Sequence, residues 1–419
     1  LRTAGYAAPG DGGAALYKNV PSLPAGAGGF QSADARWWQY ADIVFNIAAF
    51  GAFPDYHEAS TLSATAGGPV TATGNPFVAA DVGSLICLPG AAAAGATYFG
   101  TITAFTNANS VTVSPAISTA VTNVFGQWGK DNTAAIQATI NACRQANGGT
   151  ILIPTNATYC IQQLDLTNGP PMELRGASSA VNGSRLMPMR NTNSVMDYTG
   201  TSQVNINGLS VGQYNQLAAP LYGLVLSPSN PISGIDHIHL RNIFWTGRYQ
   251  VTTVYVDRCA SSTMHKAAFL NYYQGTPNGG FTGIFTSTNI FGFSSAFATT
   301  FVGTLNVSDW SLFGCEFHSI IQAGGVGAYA ALYLDGSRNI SFFGGNIATS
   351  HAGMITVVGT VYNTLFQGVT FYSDTGPSAV NIFTGTGNLN KTGLYFCDPI
   401  ITGAVFAQSG TNTLSIVAP

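Results

Sequence analysis

Seven eight-residue stretches in the second half of the chain fall into one register. They are VNINGLSV (204–211), IHLRNIFW (238–245), VYVDRCAS (254–261), WSLFGCEF (310–317), ISFFGGNI (340–347), TLFQGVTF (364–371) and LYFCDPII (394–401). In each, the first, third, sixth and eighth positions are mostly apolar. Alternation that changes phase midway describes two short strands meeting at a corner. The fifth position is Gly208, Asn242, Arg258, Gly314, Gly344, Gly368 or Asp398. Gly, Asn and Asp tolerate the left-handed conformation that a corner needs, and Arg258 is the departure. A solenoid of parallel β coils accounts for this repeat, because each coil buries its inner residues only against its neighbours. A β-sandwich also uses short alternating strands, but it gives no reason for corners in one register.

One segment breaks the β character. In DNTAAIQATINACRQANGGTILIP, Asp131, Asn132 and Thr133 supply capping oxygens, and Ile136, Ile140 and Cys143 fall on one face. The pattern predicts a helix over 133–146, stopped by Gly148 and Gly149, and then a strand closed by Pro154. An amphipathic helix across the open end of a solenoid covers apolar side chains and unpaired strand edges together, so it reads as a cap. Residues 56–127 hold short Thr/Val-rich strands and read as a small β-rich insert. The expected organisation is an N-terminal segment over 1–43 that carries Trp37 and Trp38 exposed and makes attachment or trimer contacts. A first solenoid strand with the insert follows over 44–132, then the capping helix and solenoid body over 133–419.

Charge narrows the function classes. Only 7% of the 419 residues are Asp, Glu, Lys or Arg, against about 25% in an average domain. A surface solvated by hydroxyls and amides suits a virion or extracellular setting. A net charge of −3 without basic clusters argues against a nucleic-acid partner. No apolar run reaches the length of a membrane-spanning helix, so no membrane insertion is expected. The start, LRTAGYAAPGDGG, has neither a Met nor the apolar core of a signal peptide and reads as a processed or trimmed end. The six cysteines lack CxxC pairs or metal spacing, and buried free thiols are expected for most. Cys143 and Cys160 flank the helix, and their placement admits either a pair or two separate thiols. No cofactor and no metal is expected.

The stretches FNIAAFGAFPD and DNTAAIQATINACRQANGGTILIPTNATYCI resemble the N-terminal signature of the pectate-lyase-like family of right-handed parallel β-helix proteins. The matching residues are Phe50, Gly51, Ala52, Asp131, Thr133, Ala135, Ile136, Gln137, Gly148, Gly149, Pro154 and Tyr159. The insert with FVAADVGSLICLPGA resembles the small β element of phage tailspike and tail-fibre members. So does the opening, with GYAAPGDGGAALY and FQSADARWW. This resemblance covers residues 1 to about 165 by motif and the rest by repeat style. It implies an all-β, right-handed β-helix fold and a homotrimer joined to other virion tail proteins through its N-terminal segment. The coils would bind or cleave a bacterial surface polysaccharide. The chain lacks the Asn-Thr-Asp, Asp-Asp and Gly-His-Gly motifs of polygalacturonases and the calcium carboxylate cluster of pectate lyases. No catalytic residue is therefore carried over by motif.

Glycan cleavage needs two carboxylates, or a base that removes the proton next to a uronic carboxylate. A pair drawn from Asp257, Asp309, Glu316 and Asp335 on one face is the hydrolase expectation. The competing reading makes Arg241 and Asp257, which share a register position, a surface ion pair. The segment GIDHIHLRN offers an alternative, since His239 and Arg241 share the outer face of one strand. They would suit a proton-abstracting base and a uronate contact in a lyase, or simply a surface ladder. Tyr255, Tyr272 and Tyr273 are candidate glycan contacts, whereas Trp245 points inward. The leading expectation is a phage-type tailspike or tail-fibre protein. A secreted monomeric lyase or hydrolase and a non-catalytic adhesive protein are the alternatives.

Overall fold

In a computed structural model of the chain, the Thr- and Val-rich stretch ahead of the helix closes on itself. The structure describes residues 1–227 apart from 7, 9–12, 25–27, 155–156, 180–182, 202 and 214. Between 235 and 408 it describes the strands and some of their connections. Two units divide the chain: Leu1–Leu164 with Leu174–Val195 and Leu209–Pro220, and Asp165–Glu173 with Met196–Gly208 and Leu221–Pro419.

The first unit opens with a three-stranded antiparallel sheet of β1 (Tyr17–Val20), β2 (Gly29–Gln31) and β3 (Trp37–Tyr40), with β3 central. Trp37 and Trp38 are half-buried there rather than exposed, and Trp38 Nε1 donates to Ser32 Oγ at 2.9 Å. Strand β4 (Val44–Asn46) follows. The insert then forms β5 (Tyr56–Ala64), β6 (Val70–Thr71), β7 (Ser84–Leu88), β8 (Tyr98–Asn107), β9 (Ser110–Ser114) and β10 (Val121–Lys130). These close into an antiparallel barrel in the order β10-β5-β6-β9-β8-β7. Closure leaves no open edge and lets Leu62, Val70, Phe77, Ile86, Leu88, Ile102, Val111 and Trp128 share one core. Entry and exit strands are partners, with Tyr56 opposite Gly129.

Helix α1 (Thr133–Gln145) follows at once. Asp131 Oδ1 accepts from Thr133 N at 2.9 Å and from Thr133 Oγ1 at 2.5 Å, holding the first turn. Asn132 occupies the cap position but turns its side chain elsewhere: its Oδ1 accepts from Phe53 N at 2.7 Å. Ile136, Thr139, Ile140, Ala142 and Cys143 form the buried face, which packs on the turn Ile47–Phe50, β4 and β11 (Gly149–Ile153). Asn147 takes the left-handed position at φ 64°, one residue before the glycines expected to stop the helix. Strand β11 pairs in parallel with β4, and β12 (Ala157–Ile161) starts a parallel ladder through Ser184–Pro188 to Leu209–Val211. Cys87, Cys143 and Cys160 are buried free thiols, so the pairing of Cys143 with Cys160 is not made.

A buried polar knot joins the barrel to the segment 213–217. Gln127 Nε2 donates to Tyr56 Oη at 2.9 Å and to Asn215 O at 3.1 Å, and Gln127 Oε1 accepts from Leu217 N at 3.1 Å. Tyr56 Oη donates to Glu58 Oε2 at 2.6 Å and accepts from Gln213 Nε2. With every Gln127 amide group engaged, this side chain is buried at little net cost.

In the second unit the chain visits three parallel ladders in turn. One runs Val204–Asn207, Ile238–Gly247, Thr263–Asn271, Asn289–Phe291, Ser308–Phe313, Arg338–Phe343, Thr360–Gln367, Leu394–Cys397. Another runs from Tyr222–Leu226 through Thr252–Ala260, Phe281–Thr286, Phe301–Gly303 and Leu332–Asp335 to Ala404–Gln408. The last joins Thr263–Asn271 to Ser294–Ser295, Glu316–Ser319, Asn346–Thr349, Thr370–Ser373 and Ile400–Thr402.

The expected corners follow the first-ladder strands at Gly208, Gly344 and Gly368, and at Asn242 the corner falls within the strand Ile238–Gly247, between Arg241 and Ile243. Gly208, Asn242, Gly344 and Gly368 have φ of 67°, 49°, 65° and 62°; Gly314 and Asp398 lie outside the described residues. Gly208 N donates to Arg241 O at 3.0 Å and Gly344 N to Gln367 O at 2.7 Å, so the left-handed residue turns its amide toward the next coil. Inward residues meet as the alternation requires: Ile238, Leu240, Ile243 and Trp245 are buried, and Phe342 stacks on Phe366 at 4.6 Å.

VYVDRCAS is a correction. Its strand, Thr252–Ala260, belongs to the second ladder, which takes Arg258 off the corner row. The coil in register after IHLRNIFW is STMHKAAF (262–269), with Arg241 opposite His265 and Ile243 opposite Ala267. Arg241 therefore has Asn207 and His265, not Asp257, as its ladder neighbours, and the shared register position on which the Arg241–Asp257 pairing rested is not present. A Cβ on Gly344 meets nothing within 4 Å, so Gly344→Ala is expected to cost only the left-handed penalty, about 1–2 kcal/mol in urea unfolding. Gly344→Asn, which copies Asn242, is expected to cost less than Gly344→Ala.

Candidate functional site

Period-2 alternation sends every second side chain of the first ladder outward. On the strand Ile238–Gly247 these are His239 and Arg241. The ladder sets His239 beside Asn205 and Thr263, and Arg241 beside Asn207 and His265. Arg241 and His265 are exposed; Asn205, Asn207 and His239 are half-buried. At the corner, Asn242 Nδ2 donates to Asn207 Oδ1 at 3.2 Å, which fixes the amide end of the row. Three adjacent strands place Asn207, Arg241 and His265 across about 10 Å.

The electrostatics of this face are cationic and amide-rich. Burial pushes the His239 imidazole below the usual histidine range, and Arg241 and His237 push it the same way. A neutral imidazole is thus held beside a permanent guanidinium. His239 Nδ1 is buried without a hydrogen-bond partner. His237 stands before it at φ 62° with its ring 6.4 Å away. Chemically the row can bind a carboxylate through Arg241, hydrogen-bond sugar hydroxyls through the amides, and take up a proton at His239.

The other expected residues are distributed as follows. Tyr255 is half-buried on the second ladder, with its ring 5.5 Å from that of Tyr222. Tyr222 was missed because it opens the apolar run YGLVL; His265 was missed with its coil. Tyr272 and Tyr273 lie outside the described residues. Asp257 and Asp335 sit on strands of the second ladder, Asp309 on the first and Glu316 on the last, and their side chains lie outside the described residues. Asp257 and Asp335 are three rungs apart, about 14 Å. In the first unit a cleft of ≈ 330 Å³ lies between the N-terminal sheet and the end of α1, lined by Lys18, Gln39, Tyr40, Asp42 and Gln145. Its carboxylate is engaged, with Asp42 Oδ2 accepting from Leu16 N at 2.8 Å.

No family model and no curated protein matches the sequence. Solved structures resemble the fold. Tailspike protein 2 of an Escherichia coli O157:H7 bacteriophage superposes with a TM-score of 0.50 at 10% identity, over 96% of this chain and 44% of that one. The ORF18 protein of Geobacillus virus E2 gives 0.43 at 16% identity, over 69% and 59%. DFA-IIIase from Arthrobacter chlorophenolicus gives 0.43 at 11% identity, over 66% and 84%. The chain spans about half the length of the two viral structures it matches. At 10% identity, the likeness to the tailspike is one of fold.

Proposed function

We propose that this chain is a phage-type tailspike or tail-fibre protein that recognises a bacterial cell-surface polysaccharide. In this reading the three ladders are the sides of a right-handed parallel β-helix capped by α1. Chains assemble as trimers in the virion tail through the N-terminal segment. The observation that carries the reading is the outward row Asn207, Arg241 and His265 beside His239, on a scaffold with the fold of a tailspike. A charged, hydrogen-bonding row on a rigid ladder needs no reorganisation to bind an extended chain of sugars. Arg241 suits the carboxylate of a uronic acid, and the ring faces of Tyr222 and Tyr255 suit pyranose C–H groups.

If the bound glycan is also cut, this face favours β-elimination, with Arg241 neutralising the uronate and His239 removing the adjacent proton while the C–O bond to the leaving sugar breaks, a C=C bond forms and water protonates the departing oxygen. Asp257, Asp309, Glu316 and Asp335 remain the hydrolase candidates. A purely adhesive role is the second reading. It is favoured by the absence of carboxylates among the described residues of this row.

Purified host capsule or exopolysaccharide, titrated onto the native protein with its mass measured in solution, tests the proposal. Arg241→Ala is expected to weaken binding about 10–100-fold, the worth of one charge-assisted contact. Unchanged affinity, or a monomer in solution, counts against it. New reducing ends with unsaturated-uronate absorbance indicate a lyase, reducing ends alone a hydrolase, and binding without either an adhesin. Because His239 is held neutral, lyase turnover is expected to keep its plateau down to about pH 6.5, the ordinary histidine value, and His239→Gln to abolish it. An acid limb centred above that value removes His239 as the base.

A further inference from the structure

Where the barrel begins, Asp55 and His57 stand two residues apart at the start of β5. Asp81 ends the short turn Ala79–Asp81 that leads into β7. One ligand atom from each of the three lies within 4.8 Å of the other two. His57 Nε2 and Asp55 Oδ1 are 2.5 Å apart. Trp128 stacks on the imidazole at 5.4 Å and 22°, which fixes the plane of the ring.

Asp81 is the informative member. It is 1% exposed. Its Oδ2 accepts from Val78 N at 2.9 Å, and its Oδ1 is buried with no partner. The neighbouring ammonium of Lys130 is committed to Val82 O at 2.8 Å. A buried carboxylate oxygen without a donor costs about 1–3 kcal/mol and more when charged. A cation placed among the three residues removes that cost.

We propose that Asp55, His57 and Asp81 form a structural site for one first-row divalent cation of the zinc type, which ties β5 to the turn before β7. One imidazole nitrogen and two carboxylates are three ligands of a tetrahedral site. The side chain of His57 is 40% exposed and that of Asp55 14%, which leaves the solvent side for a water as the fourth ligand. Bonds of about 2.0–2.2 Å set tetrahedral ligands about 3.3–3.5 Å apart, so on binding the Asp55–His57 pair opens from 2.5 Å, its hydrogen bond giving way to two bonds to the cation, within a trio that already lies inside 4.8 Å. Calcium, which takes six to eight oxygens, fits this donor set poorly.

The test uses the full chain, stripped with EDTA and titrated calorimetrically with ZnCl2, with CaCl2 and MgCl2 as comparisons and CoCl2 as a spectroscopic probe. One zinc per chain is expected, with a Kd of about 1 µM or tighter, and with no heat from calcium or magnesium at the same concentrations. Asp81→Asn and His57→Gln are each expected to weaken zinc binding by about 100-fold. Stoichiometric zinc binding that survives both substitutions overturns the site, as does no binding by the wild-type chain. Calcium bound as tightly as zinc overturns the assigned ion class. If either variant fails to fold, the cobalt spectrum of the wild-type chain decides: tetrahedral d–d bands support the site, and an octahedral spectrum overturns it.

Discussion

Trp128→Ala is expected to cost the barrel about 3–5 kcal/mol, the range for removing a large buried aromatic side chain. Trp128 is 1% exposed and belongs to the barrel core. Its ring packs against Phe77 at 5.1 Å and against His57 at 5.4 Å. The barrel is small, so a single cavity of this size removes a large share of its apolar burial. Hydrogen exchange resolved by mass spectrometry is the suitable measurement, because it reports β5 to β10 separately from the ladders. Fast exchange across 56–130 with the strands after 200 still protected is the expected outcome. A loss below about 1 kcal/mol, the usual size of a surface substitution, contradicts the assignment of Trp128 to the core.

Gly129→Ala is expected to be damaging too, for a different reason. A Cβ at this position meets Asp55 O at 2.0 Å and Cys160 Sγ at 2.6 Å. The first of these is backbone and cannot rotate away, so β10 must shift relative to the chain entering the barrel. Forcing one methyl group into a packed interior costs about 1–3 kcal/mol and more where the obstacle is rigid. The comparison with Gly344→Ala separates two uses of glycine: Gly129 is required for space, Gly344 for a left-handed backbone. Soluble yield and limited proteolysis within 56–130 check the first, and a Gly129→Ala chain that matches wild type in both removes the steric argument.

The corners were legible because the left-handed conformation admits few residue types, and Gly208, Asn242, Gly344 and Gly368 all satisfy it. The helix was legible because capping oxygens, an apolar stripe and a Gly pair agree over one short stretch. Registration failed where those constraints were absent. STMHKAAF carries Lys266 at the corner and begins on a polar residue, so its match to the pattern is weak. VYVDRCAS alternates well enough to imitate a coil of the first ladder while pairing in the second. Barrel closure was not legible, because it depends on the pairings of β10 with both β5 and β7, which the turn residues alone do not specify. The grouping of Asp55, His57 and Asp81 shares that origin: the fold brings Asp81 to the other two across the 23 positions that separate it from His57. Of the candidate recognition face, His239 and Arg241 were accessible from alternation, whereas His265 depended on the missed coil.

The pairing of Tyr56 with Gly129 means that the chain leaves the barrel one strand away from where it entered. In evolutionary terms such an insert is a cassette. It can be exchanged, lengthened or excised by recombination at two neighbouring points without shifting the phase of β4, α1 and β11. A replacement must keep a pair of ends one strand apart, partners for Gln213, Asn215 and Leu217 such as Tyr56 and Gln127, and a face like that of Leu85 and Cys87 against Cys160, Met187 and Met189. A lineage that exchanges modules can therefore vary this element independently of the strands that flank it, and the two parts of one chain can have separate ancestries.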